Sequence, residues 1–183
     1  MNCDPLIFKK QLWHYPDESV WFKEWVKQQA SYIPVNKPPL TLGINASEWI
    51  MDLEGPISLL NIAHKRNQTL NEVTDEIFMH LGQYVSLPLQ LIFVEDSTGV
   101  SNLSRRTQEV KEVIKTLAKA FEFYWHEAPI YASAELAHIN KLGFIHAIIT
   151  NDFSTFLYGA NTVIERPVFI PTPSIILGLE SIG

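Results

Sequence analysis

Between Ala128 and Ala160 the chain reads APIYASAELAHINKLGFIHAIITNDFSTFLYGA. The order of patterns in that stretch leaves few folds open. Pro129 suits the first turn of a helix, where its missing N–H costs nothing. The helical pattern runs to about Lys141, and Gly143 caps it. Phe144 to Thr150 is an apolar run of strand type that ends in Asn151-Asp152. A helix, a glycine turn, a buried strand and an acid at the strand's carboxyl end are how an open α/β sheet builds a site.

Two further apolar runs repeat the theme. Leu40 to Ala46 predicts a core strand with Asn45 near its end, and Ser47-Glu48-Trp49-Ile50 begins a helix. Leu89 to Val94 is apolar on both faces, as a buried parallel strand is, and ends in Glu95-Asp96-Ser97. Helical patterns lie between them. Ser19 to Ala30 fits a short helix with Val20, Trp21, Trp25 and Val26 apolar, and the aromatic residues there read as packing. Ile57 to Ala63 is a further helical piece. Thr69 and Glu72 have the spacing of a capping box, so a helix follows with Val73, Ile77, Leu81, Tyr84 and Val85 inward. Arg105 to Phe121 is the clearest helix, with an apolar stripe of Val110, Val113, Ile114, Leu117 and Phe121. Phe123 to Trp125 predicts a short strand, and Thr155 to Tyr158 a short helix or turn. Thr162 to Ile164 and Pro167 to Ile170 look extended, and Ile175 to Leu179 begins another helix. Strands alternating with helices argue a parallel sheet covered on both faces.

Composition narrows the class. A hydrophobic content of 46% with 19% charged residues, over 183 residues, suits one α/β domain with a full core. Cys3 is the single cysteine, which leaves no disulfide framework and no thiolate metal site. No apolar run reaches the ~18 residues of a membrane span, and the first residues lack a secretory pattern, so the expectation is a soluble intracellular protein. The net charge of −6 counts against a strongly basic nucleic-acid binder, but the basic residues are not spread evenly. Arg105, Arg106, Lys111, Lys115 and Lys119 fall on one helix, opposed there by Glu109 and Glu112. Such a ridge suits phosphate contact, and it equally suits a solvated helix face. The six histidines have no metal-ligand spacing.

Asn45, Asp96 and Asp152 end the three predicted core strands, and adjacent parallel strands bring them together. Two Asp and one Asn suit one hard cation weakly, whereas a two-metal site needs several carboxylates. Residues of these types at strand ends also cap the following helices or bond the backbone.

Several blocks in register resemble the XPG / flap endonuclease family, a PIN-like nuclease fold, and its Holliday-junction-resolvase-like fungal branch in particular. Leu42-Gly43-Ile44-Asn45-Ala46-Ser47 resembles the strand "V-D-A-S", and Leu87 to Asp96 resembles "P-V-F-V-F-D-G". Trp125-His126-Glu127-Ala128-Pro129 precedes the segment where the family has "A-P-G-E-A-E-A", and Asn151 to Ala160 resembles "E-D-S-D-T-L-L-F-G-A". The match runs over residues 40–166, with 1–39 divergent, inside one domain of 183 residues.

The resemblance implies a three-layer α/β/α sandwich around a mainly parallel central sheet. It also implies magnesium as cofactor, flap or junction DNA as partner with no membrane, a nuclear location, and a role in DNA repair. In the family, acidic residues hold two magnesium ions at the scissile phosphate. Here Asp96 and Asp152 are retained, while Asn45, Tyr131, Ser133 and Ser154 stand at the substituted positions. An amide offers an oxygen without charge, and Tyr and Ser are neutral at pH 7. Glu48 and Glu135 are the nearest acids that could compensate, though their spacing suits caps or surface charges. The carboxyl-terminal helix-two-turn-helix DNA clamp of the family has no counterpart in the sequence. The resulting expectation is a catalytically impaired nuclease domain that binds structured DNA or a protein partner. An active magnesium-dependent structure-specific endonuclease and a non-catalytic interaction module are the alternatives.

Overall fold

The computed structural model describes residues 18–54, 69–97 and 104–165. The predicted segments Ile57 to Ala63, Pro167 to Ile170 and Ile175 to Leu179 lie outside those residues. The elements in chain order are α1 (Glu18–Ser31), β1 (Leu40–Asn45), α2 (Ala46–Glu54), α3 (Leu70–Val85), β2 (Leu89–Glu95), α4 (Arg105–Ala120), β3 (Tyr124–Glu127), α5 (Ala132–Lys141), β4 (Ala147–Ile149), a 3-10 turn (Phe153–Phe156) and β5 (Val163–Ile164).

The five strands form one sheet in the order β3-β2-β1-β4-β5, and every neighbouring pair is parallel. Period-2 alternation sorts its side chains into two cores. Leu40, Leu42, Ile44, Leu91, Phe93, Ala147 and Ile149 face one cluster, which α1 to α4 cover with Phe22, Val26, Trp49, Ile77, Val110 and Ile114. Val94, Ile148 and Val163 face the other, which α5 covers with Ala132 and Leu136. The result is a three-layer α/β/α sandwich.

Gly43 lets α5 lie close. A Cβ there would sit 2.5 Å from Leu136 Cδ2 and 2.6 Å from Ile145 Cδ1, inside van der Waals contact. On the opposite face a chain of rings crosses the core. Phe93 lies 5.8 Å from both Trp49 and Trp125, and Phe22 lies 5.9 Å from Tyr84. The aromatic packing read for the first helix holds for Trp25, which lies against this core.

The predicted elements form, with shifted edges. The capping box at Thr69 and Glu72 is complete, with both reciprocal bonds made. Val73, Ile77, Leu81 and Tyr84 are buried as expected, but Val85 is exposed and His80 takes the inward place. The strand expected from Phe144 begins only at Ala147, because the chain is still closing α5. Gly143 has φ +79°, and the amide of Phe144 donates to the carbonyl of Ile139. In the same way α5 begins at Ala132 and not at Pro129. No helix among the described residues is long and apolar enough to cross a membrane.

Candidate functional site

The strand order sets the site. The chain steps outward from β1 to β2 and β3, then returns through α5 to β4 on the other side of β1. The border between β1 and β4 is therefore the switch point, and the crevice at its carboxyl edge is where open α/β sheets bind ligands. Asn45 ends β1, and Asp152 follows β4. The first turn of α5 sits between them.

Ser133, in that turn, joins the two. Asn45 Nδ2 donates to Ser133 Oγ at 3.2 Å, and Ser133 Oγ donates to Asp152 Oδ2 at 2.8 Å. Ser154 completes the set, with its hydroxyl on Asp152 Oδ2 at 2.7 Å and its amide on Asp152 Oδ1 at 2.9 Å. The other end of Asn45 is used as well, since its Oδ1 accepts the amide of Glu48 at 3.1 Å. Partial burial pushes the Asp152 carboxyl up, but hydrogen bonds from Ser154 and Ser133 outweigh that and hold it below the usual carboxylate value.

Asp96 is engaged differently. Its Oδ1 accepts the amide of Ala132 at 2.5 Å. It therefore caps α5 from a neighbouring loop, at a helix end where Tyr131 holds the cap position without a side-chain bond. The amide of Asp96 in turn donates to Ser47 Oγ at 2.8 Å. Asn45 and Asp152 are joined through the Ser133 side chain, Asp96 bonds the adjacent Ala132, and Asn45, Asp96 and Asp152 each accept a backbone amide.

The two candidate helper acids are committed elsewhere. Glu48 accepts the Thr150 hydroxyl at 2.6 Å and the Asn151 amide at 2.7 Å, which ties α2 to the end of β4. Glu135 lies 3.1 Å from His126 Nε2 on β3. Partners about a hundred residues away in sequence gave no local signal for the Glu48 clamp. Tyr131 is 56% exposed.

The basic ridge divides. Lys111 turns inward, against its expected place among phosphate-contacting residues. It is buried and pairs with the equally buried Glu95, whose other oxygen accepts Trp125 Nε1 at 2.9 Å. Helical spacing alone put Lys111 in line with Lys115 and Lys119, but its row borders the apolar stripe and faces the end of β2. Lys115 lies 5.8 Å from the centre of the Trp125 ring, a cation–π contact. Arg105 is exposed and pairs with Glu109, and Arg106 is exposed beside it. Because α4 follows β2, its first turn starts on the carboxyl edge of the sheet. Lys119 lies about 20 Å farther along, at 1.5 Å per residue.

A pair of hard dications asks for several negatively charged oxygens in one shell. The donor set here does not fit that requirement. Asp96 and Asp152 already accept four protein donors, and among the described residues no group of three or more His, Cys, Asp or Glu is placed to hold a metal.

Comparison with known proteins bears on this arrangement. A family profile described as the XPG I-region matches residues 122–169, which span β3, α5, β4, the 3-10 turn and β5. No curated protein matches by sequence. Among solved structures, the Holliday junction-resolving enzyme GEN1 with product DNA and Mg2+ superposes with a TM-score of 0.55 at 22% identity, over 80% of this chain and 32% of that one. Human GEN1 with Holliday junction DNA gives 0.52 at 20% identity, over 81% of this chain and 41% of that one. The catalytic core of Rad2 with DNA substrate gives 0.53 at 20% identity, over 82% and 50%. This chain therefore spans between about a third and a half of those proteins, and at these identities the likeness is one of fold.

Proposed function

We propose that this XPG-type, PIN-like α/β domain is an impaired nuclease: it binds structured DNA, and efficient metal-assisted hydrolysis of the phosphodiester is lost. One observation carries the reading. Where the resemblance expects carboxylates around two magnesium ions, Asn45, Ser133 and Ser154 form a neutral hydrogen-bonded chain that ends on Asp152. The protons of two hydroxyls and one amide occupy the lone pairs that a cation would take. Asp96 spends an oxygen on the first amide of α5. Loss of negative charge from a site built for dications weakens metal binding steeply, since a close charge pair is worth ~4 kcal/mol at intermediate dielectric.

The I-region match, and neighbours solved with DNA and Mg2+, favour the second reading, an active magnesium-dependent endonuclease of repair or recombination. The nuclear location belongs with either reading. A binding and cleavage assay with flap, splayed-arm and four-way-junction DNA, in magnesium and in manganese, separates the two. The expected result is binding with no metal-dependent cleavage, together with no magnesium heat by calorimetry up to millimolar concentration. Robust cleavage that disappears in Asp96→Ala and Asp152→Ala would overturn the proposal.

A further inference from the structure

We infer that two copies of this chain associate through the amino edge of the sheet, opposite the candidate site, by a row of exposed apolar residues set across a twofold axis. The inference is independent of the nucleic-acid reading above.

The row follows from the strand order. In a parallel sheet all strands enter at one edge, each about 4.8 Å from its neighbour. Tyr124 opens β3, Val85 precedes β2, Tyr32 and Val35 precede β1, and Leu142 and Phe144 precede β4. Those four strands are consecutive in the sheet, and each of the six side chains is half exposed or more. Hydrogen bonds hold the entries together. Gln90 Nε2 donates to the carbonyl of Glu122 at 2.9 Å between β2 and β3, and the amide of Thr41 donates to His146 Nδ1 at 3.0 Å between β1 and β4. Pro39 and Pro88 stiffen two of the entries. Surface apolar residues scattered singly are ordinary, but one or more at each of four adjacent strand entries makes a patch.

Area and charge favour a second copy as occupant. Aromatic side chains carry roughly 150–250 Å² each. Three such rings and three aliphatic side chains, exposed to this degree, offer on the order of 600 Å² of apolar surface. That is at the top of what monomers leave open, and most of the ~800 Å² that each partner buries in a stable complex. The two ends of the row carry opposite charge. Glu122 lies at the β3 end and Lys141 at the β4 end, both are exposed, and neither has an ion pair among the described residues. Three strand spacings, about 14 Å, separate the ends. A twofold axis normal to the sheet, between β2 and β1, reverses the row, so that Glu122 of each copy meets Lys141 of the other. Tyr124 is in register with Ile92, which packs against the core under α5, so its ring stands on the side of the sheet where α5 ends. The same rotation lays Tyr124 of one copy against Leu142 of the other.

Sedimentation velocity of the full chain without nucleic acid, up to about 200 μM, tests this. The expected result is a reversible dimer with a dissociation constant on the order of micromolar. Phe144→Asp is expected to leave only monomer. Glu122→Lys alone and Lys141→Glu alone each weaken the dimer about tenfold, because like charges then face each other at both ends. An equimolar mixture of those two variants regains the wild-type constant, since both ends of the mixed dimer again pair opposite charges. All three positions are exposed, and circular dichroism checks that the variants fold. A chain that stays monomeric at the highest concentration would overturn the inference. So would a dimer that Phe144→Asp leaves intact, or a mixture no tighter than its components.

Discussion

At the scale of single residues, Asp152 shows how a carboxylate is held among neutral neighbours. Its charge is held by two serine hydroxyls and an amide. Replacing Ser133 by Ala removes one of those donors and leaves the Asn45 amide without its acceptor. The Asp152 carboxyl then moves up toward the ordinary value of about 3.9, which a carboxyl-detected NMR titration reads. Because the native value lies below the unfolded one, Asp152 contributes stability that is present above about pH 3.9 and is lost as pH falls through the native value. Ser133→Ala narrows that window, and urea unfolding at pH 7 shows a further loss of about 1–3 kcal/mol from the unsatisfied buried donor. Lys111 makes the complementary case. It is buried against Glu95, so Lys111→Met leaves a buried carboxylate whose remaining side-chain partner among the described residues is the Trp125 indole. A loss of about 3–5 kcal/mol in urea unfolding is expected, far more than removal of a solvated lysine would cause.

At the scale of elements, α3 and α5 are held by different means. The start of α3 is local. Thr69 and Glu72 exchange bonds three residues apart and need nothing from the rest of the chain. Thr69→Ala lowers stability by about 0.5–2 kcal/mol, visible as a shift of the urea midpoint with an unchanged slope. The start of α5 is capped from outside by Asp96, so its position depends on β2 being in place first. Its packing depends on Gly43, where no side chain intervenes between sheet and helix. Gly43→Val pushes a branched side chain into Leu136 and Ile145 and costs about 1–3 kcal/mol. Thermal unfolding of the variant is expected at a lower temperature than that of the wild type.

At the scale of the whole molecule, acid sensitivity has a second origin on the opposite face of the sheet. His80 is buried in α3, and burial lowers its pKa below the ordinary value. The unfolded chain takes up a proton at about pH 6.5 where the native chain does not. The contribution of His80 is therefore fully present above that pH and is lost progressively below it, down to the native value. Urea unfolding at pH 7.5 and 5.5 is expected to show a fall in stability that is smaller in His80→Leu than in the wild type.

The sequence alone determined the layered α/β architecture, because burial of a strand on both faces and of a helix on one leaves a periodic trace within a few residues. It determined the capping box and the three polar strand ends for the same local reason. The resemblance to the nuclease family drew attention to Asn45, Tyr131, Ser133 and Ser154 as neutral residues where that family would lead one to expect acids. Tertiary structure alone decided what those residues do instead. Ser133 reaches Asn45 across 88 residues, Asp96 caps a helix 36 residues later, and Glu48 clamps a strand end 102 residues away. It also decided that Lys111 leaves the basic ridge for Glu95, although its spacing matched its neighbours. Such bonds depend on which strand lies beside which. The crossover that places β4 next to β1 is a property of the assembled sheet, and no local period in the chain encodes it.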